Sequence, residues 1–366
     1  MSTQPYPSQS LLAFEIAQQP ELWPTTLERV RSAAIAGFGN LTVVLTGAGT
    51  SAYAASAIAE AWPGARAIPT TDLLIQSEAE ILATLPSWRD GGWLISLARS
   101  GDSPESTAVV EKVQKLFPAV KHLAIVCNAA GRLAHLPGVQ VIVLDPRTND
   151  RSLAMTGSFS NLVLAGLCLV HPTQIAEQLP AICSRVQRSL LECNGVIEQI
   201  AAACKYRIVT LSSAMHALGK EIALKIVELT DGRVLAMTET FLGFRHGAVG
   251  FLREDTPVLC FLSSDPHKRL YELDLLDDLR GRGRSGLGRL VVIGDHALAV
   301  KDREWSIPAA APGLPDALRT PFEIPIPQLL AYHLSVHAQV NPDNPSPNGI
   351  ITRVVRPFRI HSETKG

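Results

Sequence analysis

Short apolar runs rich in β-branched residues alternate along the chain with segments long enough to form helices. In the first half they lie at residues 41–46, 92–97, 122–126 and 139–144. This alternation predicts a parallel sheet with helices on both faces. The first half is therefore expected to form one α/β lobe.

The same rhythm begins again after a long helical stretch at about residues 152–203. The second series of predicted strands lies at residues 206–211, 233–237, 257–262 and 290–293. We therefore expect a two-lobed α/β protein in which each lobe is a flavodoxin-like or Rossmann-like three-layer structure with a mainly parallel sheet. The expected organisation is an N-terminal segment 1–24, a first lobe 25–175, a second lobe 200–340 and a C-terminal tail 341–366.

The long apolar stretch at residues 153–170 is interrupted by polar side chains. They are Thr156, Ser158, Ser160 and Asn161. The stretch therefore predicts a buried core helix rather than a membrane span. The first ten residues lack the basic and apolar regions of a secretory signal, so none is expected. Proline recurs between residues 309 and 327, and a helix-like apolar stretch follows at 328–339.

The amino-acid composition indicates which kinds of partner and which cellular compartment to expect. Lys and Arg number 33 against 34 Asp and Glu, a net charge of −1, and no long basic run occurs, so no nucleic-acid partner is expected. Only 18% of the 366 residues are charged, which indicates surface buried between subunits of a homodimer or larger homo-oligomer. The six cysteines form no Cys-x-x-Cys pair, as is typical of core thiols in the reducing cytoplasm.

A glycine-containing turn follows the first predicted strand. Gly47 and Gly49 allow the backbone to approach a ligand. Thr50 and Ser51 open the following helix, whose N–H groups and dipole favour an anion. The Gly-x-Gly-x-x-Ala pattern that starts at Gly47 also fits a relaxed dinucleotide fingerprint, with Asp72 where a ribose-binding acid could lie.

A second hydroxyl-rich turn follows the second predicted strand. Ser100 and Ser103 offer hydroxyls, and Pro104 suits the first turn of a helix. Two such turns favour one compact phosphate over an extended pyrophosphate, and a P-loop is excluded because its lysine is missing. The alternative for Ser103 taken alone is an ordinary helix N-cap.

These two turns resemble those of the sugar isomerase (SIS) domain, which hold a phosphosugar. They read Gly-Ala-Gly-Thr-Ser at 47–51 and Ala-Arg-Ser-Gly-Asp-Ser-Pro-Glu-Ser at 98–106. The likeness continues, in order, at residues 69–72, 154–159, 223–230, 242–247 and 342–347. With these motifs the chain resembles the double-SIS, AgaS-like family of galactosamine-6-phosphate deaminases and tagatose-6-phosphate ketose-aldose isomerases. It is also similar to the isomerase half of glucosamine-6-phosphate synthase.

The resemblance implies roles for individual residues. The positions that match phosphate-holding residues, or lie beside them, are Thr50, Ser51, Arg99, Ser100 and Ser103. Lys225 and Glu228 match the lysine and the carboxylate base, and His246 matches the histidine that assists ring opening. In related isomerases this histidine comes from the neighbouring subunit, which implies that a dimer is the catalytic unit.

The reaction expected of such an enzyme, proton transfer on a sugar phosphate, also requires side chains of these types. Proton transfer between C2 and C1 of an open-chain sugar needs a base near both carbons, and Glu228 can serve both. Lys225 shares its helix face and can stabilise negative charge, although the two could also form an ordinary surface ion pair. His246 can exchange a proton near neutral pH. Arg245 can meet an anionic substrate or pair with a structural carboxylate.

The sequence departs from the family pattern at three places. Ala248 stands where the family commonly has proline. The second-lobe strand ends in Leu-Ser-Ser-Ala at 211–214 without a glycine-rich turn, so the second lobe is expected to hold no phosphate. Residues 349–353 read Gly-Ile-Ile-Thr-Arg where the synthase has a ring-opening lysine, which leaves more of that step to His246. Glutamine-dependent synthesis is not expected, because no glutaminase domain is present.

His333 and His337 have the i,i+4 spacing of metal ligands, but no third ligand is evident, so we expect them to be helix-packing or interface residues. No metal and no cofactor are expected. The leading hypothesis is conversion of an amino-hexose 6-phosphate, galactosamine 6-phosphate first, to a ketose 6-phosphate and ammonia. The alternatives are a non-deaminating aldose-ketose isomerase of hexose 6-phosphates, a non-catalytic phosphosugar sensor and, least favoured, a dinucleotide oxidoreductase.

Overall fold

The computed structural model describes residues 10–281, 288–294 and 304–361 of the 366-residue chain. By its internal contacts the chain divides into two compact units. The first-lobe unit comprises Glu21–Arg151, Gly157–Glu177 and the chain from Ile351 onward. The second-lobe unit comprises the chain up to Pro20, Ser152–Thr156 and Gln178–Ile350.

Five parallel strands form the sheet of the first-lobe unit. They are β1 (Val43–Thr46), β2 (Arg66–Ala67), β3 (Gly92–Ala98), β4 (Val120–Val126) and β5 (Val139–Val143). Their order across the sheet is β2-β1-β3-β4-β5. The four strands predicted in this half are confirmed. β2 was missed because two residues leave no periodic pattern.

Helices surround this sheet. They are α3 (Thr50–Ala61), α4 (Thr70–Ile75), α5 (Glu78–Thr84), α6 (Pro104–Leu116) and α7 (Gly157–Val170), and α2 (Gln19–Ala33) begins two residues before the unit does. Every residue of α7 from Gly157 to Cys168 is buried, so the predicted core helix is confirmed. α7 packs on α3, where a Cβ at Gly166 would lie 2.3 Å from Cδ1 of Ile58. Only glycine allows this approach.

The second-lobe unit has its own five-stranded parallel sheet. Its strands are β6 (Arg207–Ser212), β7 (Leu235–Glu239), β8 (Pro257–Phe261), β9 (Arg289–Gly294) and β10 (Trp305–Pro308). Their order is β7-β6-β8-β9-β10, which repeats the first-lobe order strand for strand. The four predicted strands are again confirmed. β10 was missed because Pro308 argues against a strand, but proline is tolerated at a sheet edge, where β10 lies.

The helices of this unit complete the α/β architecture. They are α1 (Leu11–Ala17), α9 (Asn194–Ala203), α10 (His216–Leu229), α11 (Phe241–Phe244), α12 (Pro266–Gly281), α13 (Asp316–Glu323) and α14 (Pro325–His337), while α8 (Pro172–Glu192) begins in the first-lobe unit and ends here. The predicted helix-like stretch is confirmed as α14. No helix within the described ranges is long and apolar enough to span a membrane.

Candidate functional site

The turn between β1 and α3 is the first candidate phosphate site. A Cβ atom at Gly47 would lie 2.5 Å from the main-chain carbonyl carbon of Ser51, so only glycine fits there. Gly49 has a φ of 56°, a left-handed conformation that also favours glycine. No side chain caps the start of α3, and Thr50 and Ser51 are buried there. This helix start is therefore open to an anion.

The turn between β3 and α6 is the second candidate site. Because β1 and β3 are neighbouring parallel strands, both turns lie at the same edge of the sheet. Ser103 occupies the N-cap position of α6, but its side chain makes no cap hydrogen bond. Its hydroxyl lies 2.6 Å from that of Ser106, and Ser100 Oγ accepts the N–H of Asp102 at 3.3 Å. Ser103 thus occupies the N-cap position without the side-chain hydrogen bond of an ordinary N-cap.

Residues that follow β4 hold the serine turn in place. Asn128 Nδ2 donates to the carbonyl of Ser100 at 3.2 Å, and the N–H of Arg132 donates to Asp102 at 3.0 Å. A Cβ at Gly131 would lie 2.0 Å from the Ser100 carbonyl oxygen. The sequence analysis missed Asn128 and Gly131. Their position just after the next parallel strand was the available signal, because that strand ends at the same sheet edge.

Arg99 is buried and its guanidinium contacts the C-terminal tail. Arg99 Nη2 donates to the carbonyl of Arg353 at 2.7 Å. Arg353 in turn donates to the Asn149 side chain at 2.6 Å and to the carbonyl of Asp150 at 2.9 Å. The arginine that stands in the stretch where the synthase has its lysine thus fastens the tail within the first-lobe unit.

A buried lysine lies on α10 of the second-lobe unit. Lys225 is 1% exposed; its ammonium contacts Glu228 and lies 3.6 Å from Glu221. Glu221 is fully buried, whereas the side chain of Glu228 is 18% exposed. A buried charge is costly unless it is paired, so the two carboxylates stabilise the ammonium. This is not the solvent-exposed surface pair that the spacing alone allowed.

Glu221 is a functional candidate that the sequence analysis missed. It lies four residues before Lys225 and hence on the same helix face, a spacing that could have revealed it. Glu228 differs from Glu221 because part of its side chain remains exposed. The ammonium thus holds one carboxylate that is sealed from solvent and one that a substrate can reach.

Arg245 and His246 lie in the loop that follows α11. Both are exposed, and the loop turns at Gly247 with a φ of 101°. Arg245 Nη1 lies 3.9 Å from Asp278 of α12, so the structural carboxylate considered as its alternative partner is present. α11 itself packs mainly on α12 and also contacts β6.

The structure also shows the surroundings of the residues considered as a dinucleotide site and as a metal site. Asp72, the ribose-binding alternative, is exposed in the first turn of α4. His333 Nε2 lies 2.9 Å from the side-chain oxygen of Asn194, and burial lowers the pKa of His333. Within the ranges that the structure describes, no group of three or more His, Cys, Asp or Glu side chains could hold a metal.

Two parallel α/β lobes, one of them carrying hydroxyl-rich turns at its strand ends, define a phosphosugar protein of the SIS-domain class. D-galactosamine-6-phosphate deaminase AgaS of Shewanella sp. (strain ANA-3) is 33% identical, over 96% of this chain and 92% of that protein. D-galactosamine-6-phosphate deaminase AgaS of Escherichia coli is 32% identical, over 95% and 94% of the two chains. The chain belongs to this AgaS family of sugar-phosphate deaminases, as the motifs predicted.

A solved structure agrees with this assignment. The crystal structure of tagatose-6-phosphate ketose/aldose isomerase from Escherichia coli matches with a TM-score of 0.82 and 28% identity, over 99% of each chain. No protein-family model matches the chain.

Proposed function

We propose that this enzyme converts an amino-hexose 6-phosphate, with galactosamine 6-phosphate as the first candidate, to a ketose 6-phosphate and ammonia. The observation that carries the proposal is the contact of the buried Lys225 with the partly exposed Glu228, in a chain 33% identical to a D-galactosamine-6-phosphate deaminase. A protein that only sensed phosphosugars would have no use for a buried ammonium beside a reachable carboxylate.

The phosphate is assigned to the turns of the first-lobe unit. The hydroxyls of Ser51, Ser100 and Ser103 donate to its oxygens, and the start of α3 contributes the positive end of a helix dipole. Arg99 and Thr50, which adjoin Ser100 and Ser51 in the sequence, supply a positive charge and a further donor. Burial of the residues around the hydroxyls supports the assignment, because hydrogen bonds to a charged group strengthen where water is excluded.

Glu228 is the proposed proton-transfer base. In the open-chain amino sugar its carboxylate takes the proton from C2, and Lys225 stabilises the charge that develops as the enolamine forms. The proton is then delivered to C1, which leaves an imine at C2. One water adds to the imine carbon, the C2–N bond breaks, and ammonia and a ketose phosphate are released.

His246 is the proposed ring-opening group, and Arg245 the residue that meets the anionic substrate. The exposure of His246 supports its use in the site of a neighbouring subunit, and hence a homodimer or larger homo-oligomer. We expect the enzyme to act in the cytoplasm on a small sugar phosphate, with no nucleic-acid or membrane partner.

Simple aldose-ketose isomerisation is the second candidate. It is favoured by the 28% identity to tagatose-6-phosphate ketose/aldose isomerase of Escherichia coli. Without an amine at C2 the same proton transfer gives a ketose directly, and no water is consumed. The two candidates share Glu228 and differ only in the substituent at C2.

Ammonia release and ketose formation, measured across hexosamine and hexose 6-phosphates, test the proposal. We expect equal amounts of ammonia and ketose from galactosamine 6-phosphate. Ketose from a hexose 6-phosphate, with no ammonia from any hexosamine, would assign the enzyme to the second candidate. Binding without either product would contradict both and leave a sensor.

A further inference from the structure

The two sheets share one strand order, so each first-lobe turn has a counterpart in the second-lobe unit. The β3–α6 turn corresponds to the β8–α12 turn, and both helices begin at a proline, Pro104 and Pro266. The β1–α3 turn corresponds to the β6–α10 turn, and three residues separate strand from helix in each. Ser263 and Ser264 of the β8–α12 turn therefore stand where the first lobe has its serine turn.

A carboxylate of the chain itself occupies the β8–α12 turn. Asp316, the first residue of α13, accepts the main-chain N–H of Ser264 at 2.7 Å and the hydroxyls of Ser263 and Ser264. Arg319 Nη1 lies 3.1 Å, and Lys268 Nζ 4.0 Å, from the same carboxylate. Two hydroxyls, a main-chain N–H and two cations are the donors that proteins use to bind oxyanions.

Asp316 is held in this turn as an anion. It is 6% exposed, and burial alone would raise its pKa. The hydroxyls of Ser263 and Ser264, the main-chain N–H and Arg319 outweigh that effect, so the pKa of Asp316 lies below its usual value. The donors of the turn thus stabilise a full negative charge in a place that solvent barely reaches.

A second carboxylate, that of Glu272, contacts both counterpart turns. Glu272 of α12 is fully buried, and its carboxylate accepts the N–H of Ser263 at 2.7 Å and a hydrogen bond from the Ser213 side chain. Ser213 is the first residue after β6. Side chains of the chain therefore reach both turns of the second-lobe unit where the first-lobe unit has its candidate phosphate site.

We propose that the β8–α12 turn is a second oxyanion cradle of the fold, closed by Asp316, and that Asp316 restricts phosphosugar binding to the first lobe. The claim that Asp316 restricts phosphosugar binding rests on the function proposed above. The claim that the turn is an oxyanion cradle rests only on the geometry of the second-lobe unit. Without the carboxylate, Ser263, Ser264 and Arg319 are expected to bind a tetrahedral oxyanion. A small cavity lined by Ser263, Ser264, Arg269 and Arg319 adjoins the turn.

Sulfate titration of Asp316→Ala tests the cradle. The variant is made in a Ser100→Ala/Ser103→Ala background to silence the first-lobe turns, and sulfate replaces chloride at constant ionic strength. We expect the Tm to rise by about 2 °C for each tenfold increase in sulfate above its Kd. The same background with Asp316 intact should respond by less than about 1 °C, because the carboxylate fills the cradle.

Asp343→Ala is the matched control for general effects of sulfate. Asp343 also accepts a hydroxyl and two main-chain N–H groups, those of Ser10, Leu11 and Leu12, but it lies outside the cradle. An equal sulfate response in the two variants, or none in Asp316→Ala, overturns the proposal. Adding Ser263→Ala and Ser264→Ala should abolish the gain.

A variant that does not fold in chloride still gives an answer. If Asp316→Ala is recovered on refolding in sulfate but not in chloride, the anion has replaced the missing carboxylate, whereas equal failure in both salts contradicts the cradle.

In a chain with intact first-lobe serines, removing Asp316 should raise the number of inorganic phosphate ions bound per chain from one to two. Lack of turnover by the parent would refute the proposed function and leave the sulfate result unaffected.

Discussion

Two serines that precede helices in the first-lobe unit are used differently. Ser77 caps α5 in a capping box with Glu80, the ordinary role of serine at that position. Ser103 holds the same position at α6, yet its hydroxyl pairs with Ser106 instead of the helix N–H groups. The first serine supports stability, and the second keeps its hydroxyl at the candidate phosphate site.

We expect Ser100→Ala and Ser103→Ala each to weaken phosphosugar binding by roughly 1 to 3 kcal/mol, since each removes a hydroxyl bonded to a charged group. Calorimetric titration with the sugar phosphate measures the loss, and added phosphate should compete. Ser77→Ala is the control: loss of its cap should lower stability by about 1 kcal/mol without changing affinity. A double alanine variant that binds as tightly as the parent would remove the phosphate from these turns.

Glu228→Gln keeps the shape of the side chain but removes the base. We expect kcat to fall by about 100-fold or more while phosphosugar affinity, set mainly by the first-lobe serines, changes little. Lys220→Gln, at an exposed position of the same helix, is the control for nonspecific effects on α10. Turnover that survives in Glu228→Gln would place the base elsewhere.

Isotope exchange gives a second readout of the same carboxylate. In deuterated water the parent should incorporate solvent deuterium at C1 or C2 of its sugar, because a carboxylate can exchange its proton before returning it. Glu228→Gln should not. A parent that binds its sugar yet neither exchanges nor turns it over would be a sensor rather than an enzyme.

At the scale of single elements, β4 contains a histidine with an unusual environment. His122 is 4% exposed, and neither ring nitrogen has a hydrogen-bond partner. Burial lowers the pKa of His122 to about 4, against an ordinary value near 6.5. The strand therefore carries this imidazole in its neutral form at neutral pH, because burial disfavours the charged form.

The stability of the parent should therefore fall as the pH drops from 6.5 towards 4, because in that window the unfolded chain binds a proton that the folded chain does not. His122→Leu should lose less stability than the parent between pH 7 and pH 5, by about 2 kcal/mol. Urea unfolding at the two pH values measures the difference. His135→Gln, which changes an exposed histidine, should follow the parent. Equal losses in the parent and His122→Leu would show that His122 is protonated in the folded state.

At the scale of the whole molecule, the exposed loop of His246 leads to a prediction about assembly. If His246 completes the site of a neighbouring subunit, mixing inactive Glu228→Gln chains with inactive His246→Ala chains should restore part of the activity. Each hybrid dimer then carries one site in which both residues are intact. No recovery in verified hybrid dimers would assign His246 to its own subunit's site or remove it from catalysis.

The sequence by itself determined eight of the ten strands in the described residues, together with the first-lobe turns. Eight strands were predictable because parallel strands buried between helices are short, apolar and β-branched. The turns were predictable because glycines at positions 47 and 49 follow the first strand and allow a tight backbone turn. The motifs also gave the family, and they pointed to Lys225 and Glu228 as candidates for proton transfer. All these signals are local in the chain, so neither packing nor long-range contacts were needed to recognise them.

Only the tertiary structure decided which polar groups are buried and which carboxylate meets which donor. The burial of Lys225, the contact of Arg99 with the carbonyl of Arg353, and the reach of Asp316 back to the β8–α12 turn join residues by packing. The interleaving of three segments in each unit was equally hidden. Such contacts depend on the order of the strands in each sheet, because that order decides which distant residues come together. The spacing of residues along the sequence does not reveal the strand order.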